Sequence, residues 1–227
     1  PDRVGGLVGH AKTRIHILDS AVFGEMTGGA DVGGMIGLSE YPADYTAAAV
    51  QIDQSVMHAT VTATGGSAGG VIGTYYAGGQ ATLTLGGLYV SAPVTANGGI
   101  AAGFVGSIMW NRDLGKATPE DKDKYQNVTL SGTYTLLDCR LDAVGEGSAT
   151  ALFIGENREK TDGSALEIRG SFVKVFAREK NRADCPREIA GAGANGTAFS
   201  SEPLTDAGLT DGTYRDTLNV FAGNKGY

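Results

Sequence analysis

Apolar positions along this chain come in pairs spaced by two, and each pair follows a glycine-rich step of fixed form. The pairs are Ile15 and Ile17, Val50 and Ile52, Leu83 and Leu85, Val128 and Leu130, and Leu166 and Ile168. Spacing by two puts both members on one face of a strand. The glycine-rich steps read VGGLVG at Val4 to Gly9, VGGMIG at Val32 to Gly37, AGGVIG at Ala68 to Gly73 and AAGFVG at Ala101 to Gly106, with ALFIG, ending at Gly155, as a degenerate fifth. Aligned on the apolar pairs, five rows emerge, in which the second members stand 35, 33, 45 and 38 residues apart. A short polar or glycine step follows each pair: Leu18-Asp19, Asp53-Gln54, Gly86-Gly87, Ser131-Gly132 and Arg169-Gly170. Such steps suit a corner between two strands. Beyond them the alignment places Ser20, Ser55, Leu88, Thr133 and Ser171 in one column, and Met26, Val61, Val94, Cys139 and Ala177 in a later inward one.

A whole row that recurs with a long, variable period predicts stacked repeats around one continuous core. The expected fold is therefore all-β: a parallel, right-handed β-solenoid (β-helix) of about five coils over residues 1–177, with residues 178–227 as a C-terminal loop and capping segment of the same domain. That segment is expected to cover the last coil, whose exposed edge would otherwise invite association. An antiparallel sandwich with glycine turns is the competing reading, since alternation alone suits both; the recurrence of whole rows favours the solenoid. Glycine is expected at the corners for two reasons. A side chain there would collide with the same corner one row away, about 4.8 Å distant, and glycine permits positive φ.

Composition agrees with many turns around a real core: 36 of 227 residues are glycine while 41% are apolar. A net charge of -7 argues against nucleic acid or an anionic membrane surface as partner. There is no run of 18 apolar residues for membrane insertion and no signal-peptide pattern. Pro1 stands three residues before the first motif, which suggests a chain that begins inside a longer precursor.

The segments VGGLVG, IHILDSAVFGEM and VGGMIG resemble the GLUG repeat of bacterial surface adhesins and IgA-specific peptidases. At the other end NGTAFSSEPL and GNKGY resemble the segment that follows the last such repeat. Ala102 and Leu152 depart from the pattern, replacing the first glycine of the fourth anchor and the second of the fifth, so those corners are expected to be built differently. The resemblance implies a secreted or cell-surface module, part of a larger polypeptide, that acts in adhesion or as a rigid spacer. Its partner would be a host or bacterial surface protein or a glycan.

Candidates for chemistry are few. His10, His16 and His58 fall in different columns, with no HExxH, so solvated surface histidines are expected rather than metal ligands, and the peptidase activity is not expected in this segment. The aligned column of His16 holds Gln51, Thr84, Thr129 and Glu167, and that of His58 holds Phe23, Ser91, Leu136 and Lys174. The mixed column through Thr84 and Thr129 defeats an ice-binding reading of the TxT patterns, which needs a uniform face. Asp19 and Asp53 share a corner offset by one residue and read as turn formers rather than a catalytic carboxylate pair. No catalytic residue, metal site or cofactor is expected. The longest insertion, Asn111 to Gln126, carries eight charges in sixteen residues behind the single tryptophan. Trp110, Arg112, Asp113 and Lys116 are the candidate ligand-binding residues there, against a solvated loop or a short helix begun by Thr118-Pro119. A second polar loop, AREKNRADCPRE, is the other place for a partner. Cys139 and Cys185 lack CxxC spacing and leave one disulfide or two thiols open.

Overall fold

The computed structural model describes residues 2–40, 49–77, 81–110, 127–157, 167–179 and 202–216. Its strands fall into five rows. Row one contains β1 (Arg3–Gly5), β2 (Val8–Ala11), β3 (Ile15–Leu18) and β4 (Ala21–Gly28). Row two contains β5 (Asp31–Gly33), β6 (Ile36–Ser39), β7 (Ala49–Asp53) and β8 (Val56–Ala63). Row three contains β9 (Ala68–Gly69), β10 (Ile72–Ala77), β11 (Ala81–Gly86) and β12 (Leu88–Asn97). Row four has β13 (Ile100–Ala102), β14 (Val105–Trp110) and β15 (Asn127–Val144), and row five has β16 (Ala149–Ala151), β17 (Ile154–Asn157) and β18 (Glu167–Glu179).

Each row visits three sheets in the same order. The first strands form one sheet, β1-β5-β9-β13-β16; the second strands form another, β2-β6-β10-β14-β17; the remaining strands form a third. Every pairing among the described strands is parallel, which removes the antiparallel sandwich. One core runs through all rows, from Ile17 and Met26 through Ile52, Val61, Leu85 and Val94 to Leu137, Leu141 and Phe153. Tyr75, fully buried, donates its hydroxyl hydrogen to the Thr82 carbonyl at 3.3 Å and so ties the second and third sheets of row three together.

The glycine steps stack as aligned. Val8 pairs with Ile36, Ile36 with Ile72, Ile72 with Val105 and Val105 with Ile154, which sets Gly9, Gly37, Gly73, Gly106 and Gly155 in one column. Backbone bonds run through the corner from row to row. The N–H groups of Leu7, Met35, Val71 and Phe104 donate to the carbonyls of Met35, Val71, Phe104 and Phe153 at 2.9 to 3.0 Å. Each of these carbonyls also accepts from the residue that follows the donor, so the corner is a continuous hydrogen-bonded ladder. Of the two expected reasons for glycine, only crowding holds. None of the five stacked glycines has positive φ, whereas a Cβ on Gly37, Gly73 or Gly106 would lie 2.6 Å from the carbonyl oxygen of the preceding row's glycine.

Positive φ belongs to the other corner, between the third and fourth strands of a row. Asp19, Gln54 and Gly87 occupy one column there, with φ of 49°, 49° and 59°. A left-handed residue costs about 1 to 2 kcal/mol when it is not glycine, so Gly87→Ala is expected to destabilise by about that amount on backbone grounds. Its nearest neighbour, the Gln54 nitrogen at 3.5 Å, leaves room for the methyl. Thermal melts of the variant and parent check this.

Row four corrects the expected register. Leu83 pairs with Leu130 and Leu85 with Gly132, two residues later than the apolar pairs suggested, and Val128 pairs with Ala81. No corner forms at Ser131-Gly132 or Arg169-Gly170. Instead β15 runs through 18 residues and pairs with both β11 and β12. The position facing Gly87 in this row is Tyr134, a side chain poorly suited to left-handed backbone, and the strand continues extended. Row five slips by two more, with Val128 against Ile168 and Leu137 against Ala177. Cys139 consequently lies against Ala92, and Leu141 takes the expected place beside Val94. Thr135, in register with Leu88, is fully buried, and its hydroxyl has no hydrogen-bond partner among the described residues. Thr135→Val keeps the shape and removes the unsatisfied group, so it is expected to raise stability by about 1 kcal/mol, read as an increased Tm.

The described C-terminal residues pair with row five and pack on rows three and four. The short strand β19 (Glu202–Pro203) extends the third sheet beside β18 at Phe176 and Ala177. The helix α1 (Asp206–Thr210) follows, its Thr205 side chain accepting from the Gly208 N–H at 3.2 Å. Leu204 and Tyr214 are buried with Leu136 of row four, and Tyr89 of row three packs against them. The Thr213 side chain and N–H both bond Asp211, holding its carboxyl below the usual 3.8; these bonds are present above that pH and are lost as pH falls through the lowered value.

Candidate functional surface

The outer face of β4, β8, β12 and β15 is a grid whose columns follow from the register. Phe23, His58, Ser91 and Asp138 form one column, exposed at Phe23 and His58 and buried at Ser91 and Asp138; Glu25, Thr60, Pro93 and Arg140 form the next. A third contains Thr27, Thr62, Thr95 and Asp142. This run of three threonines escaped the sequence reading, which followed the column through Thr84 and Thr129 and not this one. The expected columns held for three rows and failed in the fourth, where Asp138 replaces Leu136 beside Ser91, and Ser131 replaces Thr129 beside Thr84. At the row-five positions Arg178 lies against Asp138 and Ser171 against Ser131, in place of Lys174 and Glu167.

Two polar clusters lie on rows one and two. In the first, His16 Nε2 and Asp53 Oδ2 are 3.2 Å apart, and the Gln51 side-chain amide donates to the same carboxylate oxygen. In the second, the Arg3 guanidinium donates to His10 Nδ1 at 3.3 Å, and His10 Nε2 lies 2.9 Å from Glu40 Oε2. A guanidinium only donates, so Nδ1 accepts and the Nε2 hydrogen faces Glu40. Asp31 joins this group through Arg3 Nε at 3.8 Å and also accepts from the Thr74 hydroxyl of row three at 2.6 Å. Two of the three histidines are thus engaged by carboxylates rather than simply solvated. The third, His58, lies 6.2 Å from the exposed ring of Phe23, centroid to centroid.

Asp19 and Asp53 do share a corner offset by one, with Asp53 in register with Leu18 and Asp19 in the left-handed position. Asp53 faces a histidine and an amide rather than a second carboxylate. Among the described residues no group of three or more histidine, cysteine, aspartate or glutamate side chains could hold a metal ion. Trp110 ends β14, in register with Ala77. Arg112, Asp113 and Lys116 lie outside the described residues, as do residues 180–188 of the polar loop AREKNRADCPRE and, among them, Cys185, the other cysteine of the disulfide left open with buried Cys139.

Comparison of the chain with family models, with curated proteins and with solved structures found no match. No described helix is long and apolar enough to cross a membrane.

Proposed function

We propose that the five rows close into a right-handed parallel β-solenoid of the GLUG-repeat type, and that it serves as a non-catalytic module of a secreted or cell-surface bacterial protein. It would act in adhesion or as a rigid spacer presenting another domain. The observation that carries this reading is the corner ladder, in which five glycine-bearing steps far apart in sequence bond to one another in order. Such a ladder lengthens a protein without altering its section, which suits display. The outward columns support a scaffold as well: those of Phe23 and Glu25 change chemistry from row to row, and the third repeats only threonine, through three rows, before Asp142. Under this reading the ligand-binding candidates are Trp110, Arg112, Asp113 and Lys116, at and after the end of β14, and their partner is a surface protein or glycan.

A second reading, a polysaccharide-binding or polysaccharide-degrading β-helix protein or an accessory region of a secreted peptidase, draws on one specific feature: Asp53 gathers His16 and Gln51 from two rows on an outer face. A glycan array combined with hydrolysis and lyase assays separates the two. The module reading expects binding without turnover, or neither; turnover that disappears in Asp53→Asn would replace it with the second.

A further inference from the structure

The chain contains two Asn-Gly pairs, Asn97-Gly98 and Asn195-Gly196, of which the second lies outside the described residues. Asparagine followed by glycine is the pair at which a chain most readily attacks itself. The backbone nitrogen of the glycine reaches the side-chain carbonyl carbon of the asparagine, and no Cβ on the glycine hinders the approach. The fold sets Asn97-Gly98 where one backbone bond holds this reaction back.

Asn97 is the last residue of β12 and faces Val144 as the final pair of the β12–β15 ladder. It is extended there, and closing a ring onto the Gly98 nitrogen would turn its ψ far from the parallel-strand value of about +115°. The Gly98 N–H is engaged as well: it donates to the Val144 carbonyl at 2.8 Å, which keeps the proton on the nitrogen while the pair holds. Yet the pair stands at an end. Gly98 is exposed, Val144 is 57% exposed, and a Cβ on Gly98 would meet nothing within 4 Å. Ladder ends of this kind open at small free-energy cost, without the core behind them opening.

Row four fixes its side of the bond with a turn. The Val144 carbonyl accepts a second bond from Ser148 Oγ at 2.8 Å, and the Ser148 N–H donates to the Gly145 carbonyl at 3.3 Å. Gly145 has φ of 109°, and a Cβ there would lie 3.5 Å from the Gly98 nitrogen.

We propose that Asn97 is a self-modification site gated by the bond from Gly98 to Val144. When the last pair frays, the Gly98 nitrogen loses its proton to water and attacks Cγ of Asn97. The bond from Cγ to the side-chain nitrogen breaks, and that nitrogen takes up a proton and leaves as ammonia. The resulting succinimide adds one water and opens at either carbonyl, to aspartate or to isoaspartate; no oxidant or reductant is needed. Aspartate keeps the main chain and adds a negative charge. Isoaspartate adds a carbon to the main chain, so the Gly98 N–H no longer stands opposite Val144 and the pair does not re-form. Opening of rows three and four at this corner is thus made permanent. The inference is independent of the surface-module reading.

The test follows the peptide containing Asn97 by mass spectrometry in full chains kept in mildly alkaline buffer: the folded parent, the parent unfolded in urea, Gly145→Ala and Ser148→Ala. The unfolded chain gives the rate without the bond, and the folded parent is expected to be slower by about tenfold or more. Gly145→Ala puts a side chain on backbone at φ of 109°, and Ser148→Ala removes one of the two bonds on the Val144 carbonyl, while Asn97 and Gly98 stay unchanged. Each variant should convert about threefold faster than the folded parent, with the parent's circular dichroism. If Gly145→Ala does not fold, Ser148→Ala decides. The proposal is overturned if folded and unfolded parent convert at the same rate, if Ser148→Ala converts no faster than the parent, or if no folded chain converts while the unfolded chain does.

Discussion

Gly70→Ala is expected to destabilise the chain by about 3 kcal/mol or more, a fall of roughly 6 to 12 °C in Tm for a protein of this size. Gly70 sits at the second corner position of row three, and its Cβ would fall within 3.0 Å of the Gly103 carbonyl oxygen in row four. The obstacle is backbone, so no side chain can swing aside. The carbonyl belongs to a row fixed by its own bonds: the N–H of Gly103 donates to the Ala151 carbonyl at 3.1 Å and that of Gly70 to Ala102 at 2.8 Å. Relief would require separating rows three and four at the corner and stretching several hydrogen bonds together. Gly9→Ala is the matched control, with one carbonyl at 3.4 Å, and should stay within about 0.5 kcal/mol of the parent. Melting curves of the two variants decide the matter; equal costs would mean that the corners do not stack.

Leu85→Asp should leave the chain unfolded at neutral pH. Leu85 is 2% exposed and lies in register with Ile52 on one side and Gly132 on the other, inside the continuous core. Losing the leucine contacts costs about 2 to 5 kcal/mol. An unpaired carboxylate in an apolar layer adds several more, and the sum reaches the 5 to 15 kcal/mol typical of an entire domain. Leu7→Asp, at a position 45% exposed, removes far less and should fold. Loss of the β-type circular dichroism in Leu85→Asp with retention in Leu7→Asp is the expected pair of results. A Leu85→Asp chain that melts like the parent would place Leu85 outside the core.

The parts of this fold legible in the sequence were those fixed by steric necessity. Gly37, Gly73, Gly106 and Gly155 aligned correctly, with Gly9 at their head, because in rows two to five a backbone contact admits one residue type and no shifted alignment preserves it. The apolar pairs were weaker guides. A slip of two residues keeps every side chain on its own face, so Leu83 matches Val128 or Leu130 equally well by pattern, and only pairing chose Leu130. The missing corner of row four was written in the sequence by one residue, Tyr134, at the place where rows one to three carry Asp19, Gln54 and Gly87. It went unread because the slipped alignment put Ser131-Gly132 there. The polar clusters were hidden for another reason: His16 and Asp53, or His10 and Glu40, meet only when two rows stack, and neither pair forms a local motif. Arg112, Asp113 and Lys116 rested on charge density in an insertion, which predicts exposure and names no ligand.

The central claim is that the glycine corners form one ladder through the whole chain, and trans-hydrogen-bond scalar couplings measured by NMR on deuterated protein test it most directly. The account predicts couplings from the Leu7 amide to the Met35 carbonyl, from Met35 to Val71, from Val71 to Phe104 and from Phe104 to Phe153. Couplings from these amides to carbonyls within about ten residues of sequence, as hairpins with two- to five-residue loops would give, would contradict it.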